Sequence, residues 1–145
     1  IRAALDGLTP GRHIPIGPAL FICTANSARS QLAAALWRDL SGESGDSAGT
    51  HPVDRVNPGA VAAASRAGLD VAGATPRELT DGERLPGLVV TVCDRAHEEL
   101  AGDETWLHWS IPDPVPLGTK AAFDATVAEL RDRIESILDE RDLAS

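Results

Sequence analysis

A cysteine and an arginine with five residues between them lie where an apolar segment gives way to an Ala/Leu-rich segment. The segment Ala19–Ile22 before Cys23 is typical of a short strand, and the segment Ser30–Leu40 after Arg29 is typical of a helix. A loop of this length can curl so that successive backbone N–H groups point inward at the positive end of the helix. The order of strand, short loop and helix therefore predicts a concave site for a tetrahedral oxyanion, with a thiol at its floor.

The residues of this loop also favour a reactive thiol. A cysteine that faces a helix N-terminus and a guanidinium has its thiolate stabilised, so we expect the pKa of Cys23 to be lowered. Arg29 could hold two oxygens of an anion with its planar fork, Ser30 could donate its hydroxyl to the sulfur, and Asn26 tolerates the left-handed backbone that a tight loop requires. The alternative is a buried structural cysteine beside a solvated arginine. Because strand, loop and helix stand in the required order, we favour the catalytic interpretation.

Further segments of the chain have strand character. Leu88–Val92 is a continuous β-branched run, typical of a strand buried on both faces of a parallel sheet, while Ser47–His51 and Trp106–Ser110 are weaker candidates. These segments alternate with predicted helices, and the functional loop follows the first strand. The pattern predicts an α/β fold, namely a three-layer, doubly wound parallel sheet of about four strands with helices on both faces.

Two helices are predicted beyond the loop. Asn57 and Pro58 provide a capping side chain and a first-turn proline ahead of a helix over 60–67, which Gly68 would end. Thr119 can cap a long C-terminal helix. Apolar residues recur along this helix at alternating steps of four and three, which predicts a face buried in the core: Phe123, Val127, Leu130, Ile134 and Ile137 or Leu138.

Length and charge narrow the possible functions. A chain of 145 residues is the size of one domain, and its net charge of −9 argues against nucleic acid or an anionic membrane as a partner. The sequence has no apolar run of membrane-spanning length and no basic-then-apolar signal sequence, so we expect a cytoplasmic protein. Two cysteines far apart in the sequence are too few for a disulfide scaffold.

The first residues differ from the rest of the chain. Residues 1–18 begin with a helix-like stub and continue into a proline- and glycine-rich stretch, which predicts a linker or an N-terminal arm. Because the chain has no methionine even at position 1, this arm could derive from an upstream domain such as a regulator. The predicted catalytic domain spans residues 19–145.

Two residues outside the loop are candidates for chemistry. Asp113 lies between two prolines that restrict its backbone, which suits a general acid on a loop, although Asp-Pro is also a common turn pair. Cys93 ends the predicted buried strand and is either an inert core residue or a second reactive thiol. His108 and Trp109 could shape the rim of the pocket, although a histidine at a strand end is more often structural.

Together these motifs resemble a known family. The sequence Cys-Thr-Ala-Asn-Ser-Ala-Arg-Ser over 23–30, followed by segments 47–50, 56–58, 89–94 and 108–114, resembles arsenate reductases built on the low-molecular-weight protein tyrosine phosphatase fold. The resemblance implies that Cys23 is the nucleophile and that Asp113 protonates the leaving group. It also implies catalytic roles for Arg29 and Ser30, and an oxyanion cradle that consists of Thr24, Ala25, Asn26, Ser27, Ala28 and Arg29.

The chain also departs from the proteins it resembles. In the thioredoxin-coupled reductases, a cysteine at the place of Cys93 attacks the sulfur–arsenic adduct, and a further cysteine then takes over the resulting disulfide. This chain lacks that third thiol, and Ala28 stands where many relatives have a cysteine. No other side chain can replace a thiol in exchange chemistry, so the full relay is not expected. Ala34 stands where potassium-binding relatives have glutamate, so we expect no metal site.

Two routes to arsenate reduction remain. An external low-molecular-weight thiol, mycothiol or glutathione, could condense with arsenic held near Cys23, after which a redoxin of the mycoredoxin, glutaredoxin or thioredoxin type finishes the reduction. Alternatively, Cys93 forms a disulfide with Cys23 that is opened directly. We favour the external thiol, as a co-substrate and with no bound cofactor. Arginine greatly outnumbers lysine, of which Lys120 is the only one, and the implied high-GC coding bias suggests mycothiol.

Two other functions stay open. The first is that of a low-molecular-weight protein tyrosine phosphatase or phosphomonoesterase, working through a phosphocysteine intermediate. Such phosphatases usually place aromatic residues after the Asp-Pro pair, whereas Val115-Pro116-Leu117 follow it here. The second is an oxyanion-sensing module fused to a regulator. The combination of Cys23 with Asp113 argues against pure sensing, because binding alone needs neither a nucleophile nor an acid.

Overall fold

The structure is a computed structural model that describes residues 16–100 and 105–144, with side chains as far as residue 140. Most of the predicted N-terminal arm, residues 1–18, therefore lies outside the described residues. The elements follow one another as β1 (Ala19–Cys23), α1 (Arg29–Ser41), β2 (Gly45–Gly49), α2 (Pro58–Arg66), β3 (Leu88–Thr91), α3 (Asp94–Leu100), β4 (Leu107–His108) and α4 (Lys120–Ala144).

Within the described residues, the strands form a parallel sheet in the order β2-β1-β3-β4. β1 lies in the middle, where Cys23 is opposite Gly49 of β2 and Ile22 is opposite Thr91 of β3. The chain crosses from β1 to β2 in one direction and from β3 to β4 in the other. Right-handed crossovers then place α1 and α3 on opposite faces of the sheet. This arrangement confirms the predicted doubly wound α/β fold.

The apolar sequence explains the two inner strands better than the outer ones. Every residue of β1 and β3 is buried, as predicted for strands covered on both faces. β2 begins at Gly45, two residues before the predicted start, and β4 is shorter than the predicted segment 106–110. The polar sequence of β2 carries no alternating pattern, so its pairing with β1 decides where it begins and ends.

Helices α1 and α4 carry the apolar stripes that complete the core. Leu32, Leu36 and Trp37 of α1 are fully buried, and α4 packs against both α1 and α2. The predicted core positions of α4 are buried: Phe123, Val127, Leu130, Ile134 and Ile137. Although α4 is 25 residues long, no helix in the described chain is apolar enough over a sufficient length to cross a membrane.

Both predicted helix caps are present. The Asn57 side chain accepts a hydrogen bond from the Gly59 N–H at 2.8 Å, and the Thr119 hydroxyl accepts one from the Ala122 N–H at 3.1 Å. Gly68 follows α2 with a φ of 77°, a left-handed conformation that glycine adopts without a steric penalty. Local sequence therefore determines where α2 and α4 begin.

Helix α3 is absent from the sequence-based predictions. Ala96 is its one buried residue, and its polar sequence has no apolar repeat that would reveal a helix. Polar contacts hold it in place instead: His51 bonds Glu99 at 2.7 Å, and His108 bonds Asp94 at 2.8 Å. Because only two residues separate α3 from β3, these contacts help to fix the end of that strand.

We expect Leu130→Ala to reduce the free energy of unfolding by about 2–5 kcal/mol, because it leaves a cavity between α4 and the rest of the core. Leu117→Ala is the matched control, since Leu117 is 73% exposed and Leu130 is 0% exposed. The control should change stability by less than about 0.5 kcal/mol. Urea denaturation followed by circular dichroism measures both changes, and equal losses would contradict this description of the core.

Candidate active site

Six consecutive carbonyl groups in the loop between β1 and α1 accept hydrogen bonds from donors outside the loop. The pairs are Cys23 O with Thr50 N, Thr24 O with His51 N, Ala25 O with Val53 N, Asn26 O with Gln31 Nε2, Ser27 O with Asn57 N, and Ala28 O with Leu32 N, at 2.8–3.2 Å. Most of these donors belong to the segment that follows β2. The carbonyl groups of the loop are therefore fixed from outside.

These bonds determine where the loop N–H groups point. In a trans peptide, the carbonyl of one residue and the N–H of the next point in opposite directions, and the described chain contains no cis peptide. Carbonyls that are held outward thus turn the N–H groups of residues 24–29 inward. The Asn26 N–H shows this direction, because it donates to Cys23 Sγ at 3.2 Å. The loop backbone forms the concave ring of donors that an oxyanion needs.

Asn26 is the residue that lets the loop turn. It has a φ of 53°, the left-handed conformation expected from the sequence, and it is fully buried. Its Oδ1 accepts a hydrogen bond from the Arg77 N–H at 2.9 Å, and its Nδ2 donates to Ser30 Oγ at 2.7 Å. The Arg77 bond fixes the orientation of the side-chain amide, because a backbone N–H can meet only its oxygen.

Ser30 supports the sulfur from behind the loop. Its Oγ lies 2.9 Å from Cys23 Sγ, and it already accepts the Asn26 bond. The hydroxyl hydrogen is available for donation to the ionised sulfur, which is the contact that the sequence suggests. Both Ser30 and Asn26 are fully buried, so they act on the thiol and on the loop without contacting solvent.

The pKa of Cys23 departs from the sequence-based expectation. Burial raises the pKa of this thiol, which is only 3% exposed. The Ser30 hydroxyl, the N–H groups of Ser30 and Asn26, and the Arg29 charge lower the pKa but do not outweigh burial. The expected lowering is therefore wrong, because it counted the helix terminus and the guanidinium without the loss of solvent around the sulfur.

Arg29 and Asp113 meet at one side of the loop. Arg29 Nη1 donates to the Ile111 carbonyl at 2.9 Å, and Arg29 Nη2 lies 3.7 Å from Asp113 Oδ2. The Asp113 side chain is 44% exposed, and its other oxygen accepts a hydrogen bond from the Val115 N–H. The segment after β4 thus positions both the guanidinium and the candidate acid.

Cys93 lies at the end of β3, beside the loop. Its Sγ is 3.2 Å from the Thr24 hydroxyl, and the Ala96 N–H in the first turn of α3 donates to it at 3.4 Å. Cys23 and Cys93 are both free thiols. Cys23 ends β1 and Cys93 comes just after β3, and these two strands are parallel neighbours in the sheet. Cys93 therefore lies beside the loop that begins at Cys23, although 70 positions separate the two residues in the chain.

The candidate residues share one cleft of about 810 Å³. Its lining includes Cys23, Arg29, Cys93, Asp113 and the loop residues Thr24, Ala25, Ser27 and Ala28. The lining also includes Val53, Arg55, Asp94 and Arg95, which sequence reasoning did not identify as site residues. Their positions in the chain could have identified them, because each lies within about six residues of the carboxyl end of a parallel strand, where ligands bind in such sheets.

The predicted rim residues His108 and Trp109 have other roles. Trp109 is fully buried, with its ring centroid 6.1 Å from that of Phe21, so it belongs to the core. The His108 ring bonds the Thr91 hydroxyl and the Asp94 carboxylate, each at 2.8 Å. His108 therefore connects β4 to the start of α3 instead of lining the cleft.

Among residues 16–100 and 105–144, no group of three or more histidine, cysteine, aspartate or glutamate side chains is arranged to hold a metal ion. The cleft brings together a thiol, a ring of amide donors, a guanidinium and a carboxylate. Such a set can bind a tetrahedral oxyanion and attack its central atom.

Comparisons with known proteins place the chain among oxyanion-handling enzymes. The family model for low molecular weight phosphotyrosine protein phosphatase matches residues 19–144. An arsenate reductase from Halalkalibacterium halodurans is 34% identical over 122 residues, which cover 79% of this chain and 86% of that protein. Arsenate reductase 2 from Staphylococcus saprophyticus is 38% identical over 103 residues, which cover 65% of this chain and 76% of that protein.

Solved structures share the same fold. The arsenate reductase from Archaeoglobus fulgidus superposes with a TM-score of 0.71 at 28% identity, covering 83% of this chain and 98% of that one. The tyrosine phosphatase Wzb from Escherichia coli K30, solved in complex with sulphate, gives a TM-score of 0.76 at 21% identity, covering 87% of this chain and 99% of that one. At that identity, the second comparison shows the fold alone.

We expect Gly49→Ala to disturb the loop. A Cβ at Gly49 would lie 2.5 Å from the Thr24 carbonyl oxygen, which the His51 N–H holds in place. The clash should cost about 1–3 kcal/mol of unfolding free energy and weaken phosphate binding. Gly73→Ala is the matched control, because a Cβ there meets no atom within 4 Å. Urea denaturation and phosphate titration measure the two effects, and a Gly49→Ala protein as stable as the control would contradict this packing.

We expect Ser30→Ala to raise the pKa of Cys23 further, because Ser30 provides the largest effect that opposes burial. At pH 7, a raised pKa leaves less thiolate, so alkylation of Cys23 by iodoacetamide should slow by about tenfold. The difference should disappear at a pH high enough to ionise the thiol in both proteins. Ser65→Ala, an exposed change on α2, is the control. Equal alkylation rates at pH 7 would show that the Ser30 hydroxyl does not stabilise the thiolate.

Proposed function

The chain belongs to the low molecular weight phosphotyrosine protein phosphatase family, and we propose that within this family it reduces arsenate to arsenite, with Cys23 as the nucleophile. The observation that carries the proposal is a single cleft in which an amide cradle, the Cys23 thiol, the Arg29 guanidinium and the Asp113 carboxylate meet, with no aromatic side chain among its described lining residues. Such a cleft suits a small oxyanion better than an aromatic phosphoester, and the electrons for its reduction come from thiols. The relatives of 34% and 38% identity that are named arsenate reductases support the same choice.

The first step joins arsenic to the protein. Arsenate binds to the N–H groups of residues 24–29 and to the Arg29 guanidinium, and the Cys23 sulfur attacks arsenic. One As–O bond breaks as the S–As bond forms. Burial raises the pKa of the Cys23 thiol, and as the sulfur attacks, the thiol proton passes to the arsenate dianion. The departing oxygen leaves as water, with Asp113 relaying the proton to it.

The second step supplies the electrons. The sulfur of an external low-molecular-weight thiol, mycothiol or glutathione, displaces Cys23 from arsenic, and Cys23 recovers a proton. A thiol of a redoxin, of the mycoredoxin, glutaredoxin or thioredoxin type, then attacks the sulfur bonded to arsenic. A disulfide forms between redoxin and small thiol, and the S–As electron pair passes to arsenic. Arsenic(V) thereby becomes arsenic(III), with protons taken from solvent, and two thiols have been oxidised.

Cys93 offers a second route for the electrons. In this route the Cys93 sulfur attacks Cys23 in the arsenic adduct, a Cys23–Cys93 disulfide forms, and arsenite leaves with the S–As electron pair. The chain has no third cysteine to take over that disulfide, so an outside thiol must open it. Both sulfurs are buried, so an outside thiol would reach a Cys23–Cys93 disulfide only if that disulfide became exposed. The external-thiol route forms no such disulfide, and we favour it for that reason.

The lining of the cleft weakens the phosphotyrosine phosphatase alternative. Its outer part contains Val53, Pro58 and Val115, and no aromatic side chain is among the described residues that line it. The described phenylalanines and two of the tryptophans, Trp37 and Trp109, are buried in the core. A phosphotyrosine ring would therefore find aliphatic and charged groups but no ring on which to stack.

Purified protein should release arsenite from arsenate only when a low-molecular-weight thiol and a redoxin are added. Mycothiol with mycoredoxin and glutathione with glutaredoxin are tested separately, and p-nitrophenyl phosphate tests the phosphatase alternative. We expect Cys23→Ser to lower arsenite release by at least about 10³-fold, because a hydroxyl does not replace the thiolate nucleophile. Cys93→Ala separates the two routes, since it should leave release unchanged on the external-thiol route and abolish it on the other.

Rapid p-nitrophenol release without arsenite would favour the phosphomonoesterase. Oxyanion binding without either product would favour a sensing module. Either outcome would overturn the proposed arsenate reductase.

A further inference from the structure

The lining of the cleft contains more arginines than aspartates, although the protein as a whole is strongly acidic. The chain has a net charge of −9, yet three arginines and two aspartates line the cleft, namely Arg29, Arg55, Arg95, Asp94 and Asp113. An anion that approaches this protein is repelled by most of its surface. A local positive group at the mouth of the cleft can reverse that repulsion over a distance of about one Debye length, roughly 10 Å at 0.1 M salt.

Two of the three arginines have carboxylate or carbonyl partners. Arg29 lies deep in the cleft, where it bonds the Ile111 carbonyl and faces Asp113. Arg95 Nε forms an ion pair with Glu99 Oε1 at 2.9 Å. The charge of each is therefore offset by a partner from the protein itself.

Arg55 differs from both. It is exposed, and no hydrogen bond or ion pair is formed by its side chain among the residues that the structure describes. Its neighbours in the chain are fixed, because the N–H groups of Thr50, His51, Val53 and Asn57 all donate to carbonyls of the cradle. Arg55 is thus a positive charge without an ion-pair partner among the described residues, and its backbone is tied to the loop that surrounds Cys23.

We infer that Arg55 is a capture residue, which attracts an anionic reactant to the mouth of the cleft and raises its rate of entry into the cradle. The identity of the natural anion, an oxyanion such as arsenate, rests on the proposed function. Arg55 acts on the encounter and not on the reacting atoms, since Arg29 already occupies the inner position beside the cradle. Its effect should therefore depend on the charge of the reactant and on ionic strength, but not on the chemical step.

Two alkylating reagents of similar size test this directly, because iodoacetate is an anion and iodoacetamide is neutral. Arg55→Gln should lower the rate at which iodoacetate modifies Cys23 by roughly three- to tenfold at about 0.02 M salt, and leave the iodoacetamide rate unchanged. The difference should nearly vanish at about 0.5 M salt. Peptide mapping by mass spectrometry assigns the modification to Cys23 and not to Cys93.

Arg84→Gln is the matched control. It removes the same charge from another exposed arginine, which lies outside the Cys23 cleft and lines a separate groove. Arg55→Lys should preserve most of the iodoacetate rate, because capture needs a charge and not a planar fork. An equal loss of iodoacetate rate in Arg55→Gln and Arg84→Gln would show an effect of net charge alone and would overturn the inference. The inference would also be overturned if Arg55→Gln slowed neutral iodoacetamide equally, or if high salt did not restore the iodoacetate rate.

A second measurement uses arsenate turnover. Arg55→Gln should lower kcat/KM for arsenate by a similar factor at low salt with kcat unchanged, whereas an equal fall in kcat would contradict a role in capture. The alkylation test requires no turnover. A protein that never produces arsenite but loses iodoacetate selectivity in Arg55→Gln would refute the proposed function and leave the capture role intact.

Discussion

The outward hydrogen bonding of the loop carbonyls is the constraint on which the site depends. A free loop of this length would expose both edges of its peptide groups to water. Here each carbonyl from Cys23 to Ala28 has a donor outside the loop, so the opposite N–H groups face the centre. Most of those donors come from segment 50–57, which follows the strand beside β1. The sheet register therefore determines the position of the cradle, and Gly49 must lack a side chain for the two segments to meet.

A second consequence of this packing concerns the thiol. The same burial that orders the loop removes solvent from Cys23 and raises its pKa, while Ser30 and two backbone N–H groups oppose that effect. The ring of N–H groups therefore suits a bound anion, whereas burial disfavours the thiolate of Cys23 on its own. In the proposed reaction, an arriving dianion accepts the thiol proton and occupies the ring of donors at once, so that binding of the anion and activation of the nucleophile are coupled.

Much of the fold could be read from local sequence. The buried strands β1 and β3, the stripe of α4 and the caps at Asn57 and Thr119 all have short-range signals, because burial and capping act on residues close in the chain. Helix α3 and the bounds of β2 have no such signal. Their positions depend on contacts with distant residues, such as His51 with Glu99, that no local pattern records.

The sequence by itself determined the order of strand, loop and helix around Cys23 and Arg29, since that order needs only hydrophobic pattern and chain length. It also marked Asn26, whose left-handed backbone follows from residue type. The tertiary structure alone decided that Cys93 and Arg55 share the cleft with Cys23, and that burial outweighs the charges that act on the sulfur. The physical reason is that proximity and desolvation depend on how distant segments pack, and neither is a property of neighbouring residues.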